Sequence, residues 1–273
     1  MAGRVQGKVA LVTGAGRSQG RSHAVTLAAE GADIIAVDIG GPMDGYPYAL
    51  ASEDDLAETA GLVKEAGRQV VAVTADIRDR PALTGVVAEA VATFGRLDVV
   101  VANAAIAYIS AWSDVTTEIW QQTIDVNLTG TFNTVMATAP HLIAAGGGSV
   151  VLISSAAGLM AEPFLLPYVA SKHGVTGLSR AFAMELAEHH IRVNSVHPGG
   201  VDTPMMGGRA ATRALLAPLL EANPKLGAAF TAMLPIETTQ PIDISKAVLF
   251  LASDESRYVT ALAMTVDAGV TQM

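Results

Sequence analysis

The 273-residue chain contains no cysteine. Disulfides, thiolate nucleophiles and cysteine-ligated metals are thereby excluded, and the composition fits a reducing compartment. Cations are also scarce: 17 Lys and Arg stand against 26 Asp and Glu, a formal net charge of -9. With no basic run to meet phosphates, nucleic acid is not an expected partner. No apolar run approaches a membrane span, and Met1 to Lys8 holds no signal-like apolar core. The expectation is a soluble, cytoplasmic protein with no membrane contact. The six histidines show no metal-binding spacing and no H-E-x-x-H, so no metal is expected. Ser155 lacks the G-x-S-x-G elbow of a hydrolase.

What the chain does have is a repeated alternation. Short apolar runs lie at Lys8–Val12, Asp33–Val37, Val70–Val73, Val99–Ala102, Val150–Ile153, Arg192–Val196 and Ala263–Val266. They are continuous rather than alternating, as strands covered on both faces should be. Helix-length segments separate them, which predicts an α/β fold: a doubly wound parallel sheet of about seven strands with helices on both faces. No linker or composition break divides residues 1–273, so a single domain is expected. Two stretches interrupt the rhythm. Residues 40–52 read as an inserted loop, and 205–235 as a flap over the carboxyl ends of the strands, where such sheets bind ligands.

Gly14, Gly16 and Gly20 fall between the first strand and the first helix. Glycines there let the backbone approach a pyrophosphate, which a helix N-terminus attracts through its free N–H groups. Asp38 closes the second strand, where a carboxylate can accept both ribose hydroxyls of an adenosine and repel a 2′-phosphate. A solvated strand-end aspartate would look the same. Arg17 could greet a 2′-phosphate or pair with Asp38. On balance the loop favours NAD over NADP.

Further along, Tyr168 and Lys172 stand four residues apart with Ser154-Ser155 upstream. On a helix this spacing places them on one face, with the ammonium positioned to favour a phenolate. Lowering a phenol from about 10 to roughly 7 requires on the order of 4 kcal/mol, within reach of one cation plus a cationic cofactor ring. Such a tyrosine is a general acid/base matched to neutral pH.

Taken together, Thr13-Gly14, Gly20, Asn103-Ala104-Ala105, Asn127, Ser155, Tyr168, Lys172 and Pro198-Gly199 resemble the short-chain dehydrogenase/reductase family, in this order and across nearly the whole chain. The resemblance implies a Rossmann-type fold and a Tyr/Lys/Ser/Asn site. Tyr168 would exchange the alcohol proton, and Lys172 would lower its pKa and bind the nicotinamide ribose. Ser155 would bind the substrate oxygen, and Asn127 would anchor a relay water. Gly14, Gly16, Arg17, Ser18 and Gly20 would cradle the cofactor, with Asp38 and Ile39 at its ribose. Asp76 and Ile77 would flank the adenine, Asn103 and Ala104 would hold the middle, and Pro198, Val201 and Thr203 would meet the carboxamide. Two departures fall where the family has glycine: Ser18 in the phosphate loop and Ala105 in the N-A-G turn. Both put local backbone geometry in question.

Gly20-Arg21-Ser22-His23-Ala24 and the 40–52 insertion resemble the mycofactocin-associated, carveol-dehydrogenase-like subgroup. That resemblance implies a tightly held NAD, covered by the insertion and reoxidised in place by mycofactocin. It also implies a homotetramer. Substrate contacts are expected from 156–164, 108–112 and the flap, whose Met205, Met206, Met233, Leu215, Leu216 and Phe230 point to a hydrophobic alcohol or ketone. Two other readings remain: an NADP-dependent carbonyl reductase with exchangeable cofactor, and a non-catalytic nucleotide-binding regulator.

Overall fold

A computed structural model describes residues 3–43, 46 and 48–273. Met1 and Ala2 of the leading segment, and 44, 45 and 47 of the insertion, lie outside the described residues. Seven strands form one parallel sheet: β1 (Val9–Thr13), β2 (Asp33–Asp38), β3 (Val70–Thr74), β4 (Val99–Ala102), β5 (Gly148–Ile153), β6 (Ile191–Pro198) and β7 (Ala263–Val266). Their order is β3-β2-β1-β4-β5-β6-β7. All five residues of β1 and all four of β4 are buried, whereas the edge strands β3 and β7 are largely half-exposed. The Val/Ile/Ala runs suit this arrangement because branched side chains pack well on a pleat covered from both sides.

Eight α-helices flank the sheet: α1 (Ser18–Ala29), α2 (Glu53–Glu65), α3 (Arg80–Phe94), α4 (Thr117–Ile124), α5 (Gly130–Ala144), α6 (Leu166–Glu185), α7 (Arg209–Ala222) and α8 (Pro241–Ala252). Leu27 of α1, Val63 of α2 and Ile244, Val248 and Leu251 of α8 bury one face with Val12 and Val101. Leu83 of α3, Leu142 of α5 and Val175 of α6 bury the other with Leu11 and Val100. Among the described residues no helix is long and apolar enough to cross a membrane.

The chain runs outward from β1 to β3, then crosses back to set β4 on the other side of β1. The loops leaving β1 and β4 therefore diverge, which opens a crevice at the carboxyl ends of these two strands. The expected flap is α7 with short 3-10 turns at Met205–Gly207 and Pro224–Phe230. It is tied back to the strand ends by a parallel bridge between Val201 and Thr239.

Candidate active site

A cleft of about 1070 Å³ lies at this crevice, reaching from Gly14, Asp38 and Asp76 to Ser155, Tyr168 and the flap. Its phosphate end is built by close backbone approach. Gly14 has φ +67°, and a Cβ there would come within 2.8 Å of the Ala104 Cα. A Cβ on Gly20 would fall 1.9 Å from the Gly14 carbonyl oxygen. Asn103 Nδ2 donates to the Thr13 carbonyl at 3.0 Å, and Thr13 Oγ1 accepts from the amides of Asn103 and Ala104 at 3.0 and 3.2 Å. The turn after β4 thus clamps the turn after β1. The N-terminus of α1 has no side-chain cap and no acidic residue in its first turn. Free N–H groups and an unopposed dipole at this end suit a pyrophosphate, so the residues present fit a dinucleotide.

The two departures from glycine resolve differently. Ser18 adopts φ +56°, in the left-handed region where glycine is at ease and a side chain is strained. Ala105 lines the cleft without a positive φ, so its methyl meets no conformational penalty.

Asp38 is 7% exposed, and its Oδ2 accepts from the Gly16 amide at 2.8 Å. Burial pushes its carboxyl above the usual range, while the Gly16 and Gly40 amides and the Arg17 charge pull it back. Arg17 forms no ion pair with Asp38. Its guanidinium donates to the Ala49 carbonyl at 2.5 Å and anchors the insertion. Arg21 works alongside, donating to the Gly16 and Asp55 carbonyls at 2.6 and 2.9 Å and pairing with Glu58 at 2.8 Å. Asp76 is held by Arg78 through contacts of 2.6–3.0 Å, so its carboxylate first fastens its own turn, while Asp76, Ile77 and Ile39 all face the cleft. Pro198, Val201 and Thr203 line the opposite wall.

At the reaction end, Ser155 leaves β5 and Tyr168 and Lys172 lie on α6, all three lining the cleft, with the Ser155 hydroxyl favouring the ionised phenol. Ser154 turns away, donating to the Lys172 carbonyl at 2.9 Å. Helical spacing does place Lys172 on the Tyr168 face, with Nζ 5.5 Å from the ring centroid. The ammonium nevertheless reaches past the phenol to the Ile153 carbonyl at 2.8 Å. The expected lowering of the phenol is not what this packing produces. Burial drives the Tyr168 phenol above its ordinary value, with Ser155 opposing, and drives Lys172 down to about 7. Enclosure of both groups outweighs their mutual attraction until further positive charge arrives.

Asn127 sits in a π-helical turn, Asp125–Thr129, between α4 and α5. Its Nδ2 donates to the Ile106 carbonyl at 2.8 Å and to Ser171 Oγ at 3.1 Å, and its Oδ1 accepts from the Ile106 amide at 2.8 Å. Both amide hydrogens are committed to joining the chain after β4 to α6. The side chain is a fastener whose N–H groups are used, so a relay water would be held through an acceptor oxygen of Asn127.

Met205, Met206 and Leu216 pack with Ile109, Leu165 and Tyr168 at the substrate end, and Phe230 also faces the cleft. Leu215, on an outward face of α7, and Met233, in the segment after the Pro224–Phe230 turn, do not line it; they are 47% and 56% exposed. Of the expected stretch 108–112, Ile109 lines the cleft, whereas Tyr108 and Trp112 do not, and Trp112 is 80% exposed.

Three contributors were not singled out in the sequence, although Glu162 falls within the expected 156–164 stretch and Tyr48 within the 40–52 insertion. His197 Nδ1 is 2.8 Å from the Ser155 carbonyl and Nε2 is 2.8 Å from Ser195 Oγ. Since a carbonyl only accepts, Nδ1 carries the proton and the neutral ring accepts from Ser195. Tyr48 of the insertion accepts from the Ala107 amide at 3.1 Å and lines the cleft, stacked edge-on to Tyr46 at 5.0 Å. Glu162 lines the cleft near Tyr168. A polar side chain inside an apolar strand or wall was the available signal for His197 and Glu162.

A dinucleotide-binding crevice joined to a Ser/Tyr/Lys cluster defines an oxidoreductase of the doubly wound class. Residues 8–214 match the family model described as short chain dehydrogenase, and the chain belongs to that family. The chain is 54% identical to a short chain dehydrogenase from Mycobacterium paratuberculosis crystallised with NAD, with a TM-score of 0.96 and coverage of 99% and 100% of the two chains. It is 48% identical to a carveol dehydrogenase from Mycobacterium avium in complex with NAD, with a TM-score of 0.91 and the same coverage. It is 47% identical to a (-)-trans-carveol dehydrogenase from Rhodococcus erythropolis over 98% of this chain and 99% of that one.

Proposed function

We propose that this protein is an NAD-dependent oxidoreductase that interconverts a hydrophobic secondary alcohol and its ketone. The observation that carries the reading is the meeting of Ser155, Tyr168 and Lys172 at one end of a cleft whose other end is the glycine turn, with Lys172 Nζ 5.5 Å from the Tyr168 ring. In oxidation, Ser155 positions the substrate oxygen and Tyr168 Oη takes its proton as the carbon gives up hydride. NAD, when bound, accepts that hydride and brings the positive ring that helps the phenol ionise. Lys172 binds the adjoining ribose hydroxyls and holds positive charge under the phenol. Gly14, Gly16, Ser18 and Gly20 receive the pyrophosphate, Asp38 with Ile39 and Arg17 borders the adenosine ribose, and Asp76 and Ile77 flank the base. Asn103 and Ala104 brace the middle, while Pro198, Val201 and Thr203 set the ring face. Asn127 keeps this frame rigid.

We further propose that the cofactor stays bound between turnovers and is reoxidised in place by an external carrier such as mycofactocin. Support comes from the insertion: Arg17 and Tyr48 tie it to the cleft, and Met43 and Ala51 are buried. Work in the cytoplasm as a homotetramer follows from the composition and the family resemblance. Although Arg17 lines the cleft, its guanidinium is engaged by the Ala49 carbonyl, and with the Asp38 carboxyl beside it this disfavours the NADP reading.

The test is Tyr168→Phe with parallel analysis of nucleotide released from the denatured protein. The variant is expected to lose turnover of carveol by at least about 1,000-fold while still releasing NAD in the wild-type amount. Near-normal turnover overturns the mechanism.

A further inference from the structure

The substrate end of the cleft is walled by Ile109, Leu165, Met205, Met206 and Leu216, all apolar. One carboxyl interrupts that wall. Glu162 lies in the loop before α6, half-buried, and faces both the cleft and a shallower recess beside it that holds Ser110 and Trp120. It makes no hydrogen bond or ion pair among the described residues. Among the described residues the cations that border the cleft are directed elsewhere: Arg209 and Arg213 to Glu237, Arg17 to the Ala49 carbonyl and Lys172 to the Ile153 carbonyl. Desolvation without a partner pushes the Glu162 carboxyl up to about 7, and its charge in turn disfavours ionisation of Tyr168. A second unpartnered polar atom, Ser110 Oγ, is buried in the same recess.

A carboxyl enclosed by apolar side chains is costly to keep unpaired, and a structural role would show a partner. Among the described residues no group supplies one, and the carboxyl opens onto the cleft and the recess beside it. We propose that Glu162 is a specificity-determining residue that accepts a hydrogen bond from a second hydroxyl of the substrate, remote from the reacting carbon. The preferred substrate class is then an alicyclic diol or hydroxyketone rather than a simple monohydric alcohol, and carboxylate-bearing analogues are repelled. The inference rests on the oxidoreductase reading for the position of the reacting carbon. It does not rest on it for the existence of a polar subsite.

The experiment compares cyclohexanol with the 1,2-, 1,3- and 1,4-cyclohexanediols. Binding to the NADH-loaded protein is measured by calorimetry, where no turnover occurs, and kcat/KM is measured with NAD. At least one diol is expected to bind about tenfold better than cyclohexanol. That ratio should fall to about twofold or less in Glu162→Ala and to an intermediate value in Glu162→Gln, which keeps an acceptor oxygen. Because each ratio is taken within one variant, a general loss of affinity cancels. Equal binding of all four ligands by the wild type, or a preference that survives in Glu162→Ala, overturns the inference. A Glu162-dependent preference in binding, with wild type and Tyr168→Phe equally inert toward every ligand, upholds the subsite and sinks the assigned chemistry.

Discussion

Asp38→Asn isolates the charge that decides between the two nicotinamide dinucleotides. Asparagine is nearly isosteric, and its Oδ1 can still accept from the Gly16 amide, which now bonds Asp38 Oδ2 at 2.8 Å. The turn should therefore survive, and only the negative charge disappears. At 7% exposure the carboxylate is poorly screened by solvent. One unit charge roughly 6 Å away at an effective dielectric near 20 opposes it by about 3 kcal/mol. A 2′-phosphate carries at least one such charge, so the variant should gain about 100-fold in its affinity for NADP relative to NAD. Burial raises the Asp38 carboxyl, so the assay belongs on the alkaline side of neutrality, which favours the ionised wild-type group. Dissociation constants for both nucleotides, taken by calorimetry at low salt, give the ratio directly. Arg17→Ala is the counterpart: this cation lines the cleft and its charge acts on Asp38, so its removal should shift the ratio the opposite way, toward NAD. A change of less than about threefold in Asp38→Asn would refute the electrostatic argument.

His197 positions Ser155 through its main chain, so His197→Phe should lower kcat about 10- to 100-fold with the KM for NAD unchanged. His197→Asn, whose amide reaches where Nδ1 does, should recover most of the loss; equal KM and kcat effects, or no rescue, would leave His197 as mere filling. Lys172 gives the protein a pH signature. Its folded pKa of about 7 lies below the ordinary 10.5, so between these values the unfolded chain binds the extra proton. Stability then rises with pH through this window and is lost as pH falls toward 7. Denaturant titrations of the cofactor-free protein at pH 7.5 and 9.5 should differ by on the order of 2 kcal/mol, and Lys172→Met should flatten that difference. An unchanged slope would mean that Lys172 stays charged in its pocket.

Most of the frame was legible before any coordinates. Seven buried runs predicted seven strands, with ends shifted by at most two or three residues, because a sheet covered on both faces demands continuous apolar sequence. Asp38, Asn103 and Ser155 were found because chain position at a strand's carboxyl end already implies a place at the crevice. Ser155 could be preferred over Ser154 by spacing from Tyr168, and the two hydroxyls do diverge, toward the phenol and toward α6.

The sequence by itself determined the layering of the sheet, the glycine turn and the residues that meet at the strand ends, since each follows from local pattern and chain order. Only the tertiary structure decided how those residues divide their hydrogen bonds and charges. Lys172 lies on the Tyr168 face yet bonds to β5, Asn127 uses its N–H groups to join two elements, and Arg17 holds the insertion instead of Asp38. His197 and Glu162 acquired their roles from partners, or the lack of them, far away in the chain. Burial and hydrogen-bond satisfaction depend on every element that packs around a group, and no local spacing encodes that sum.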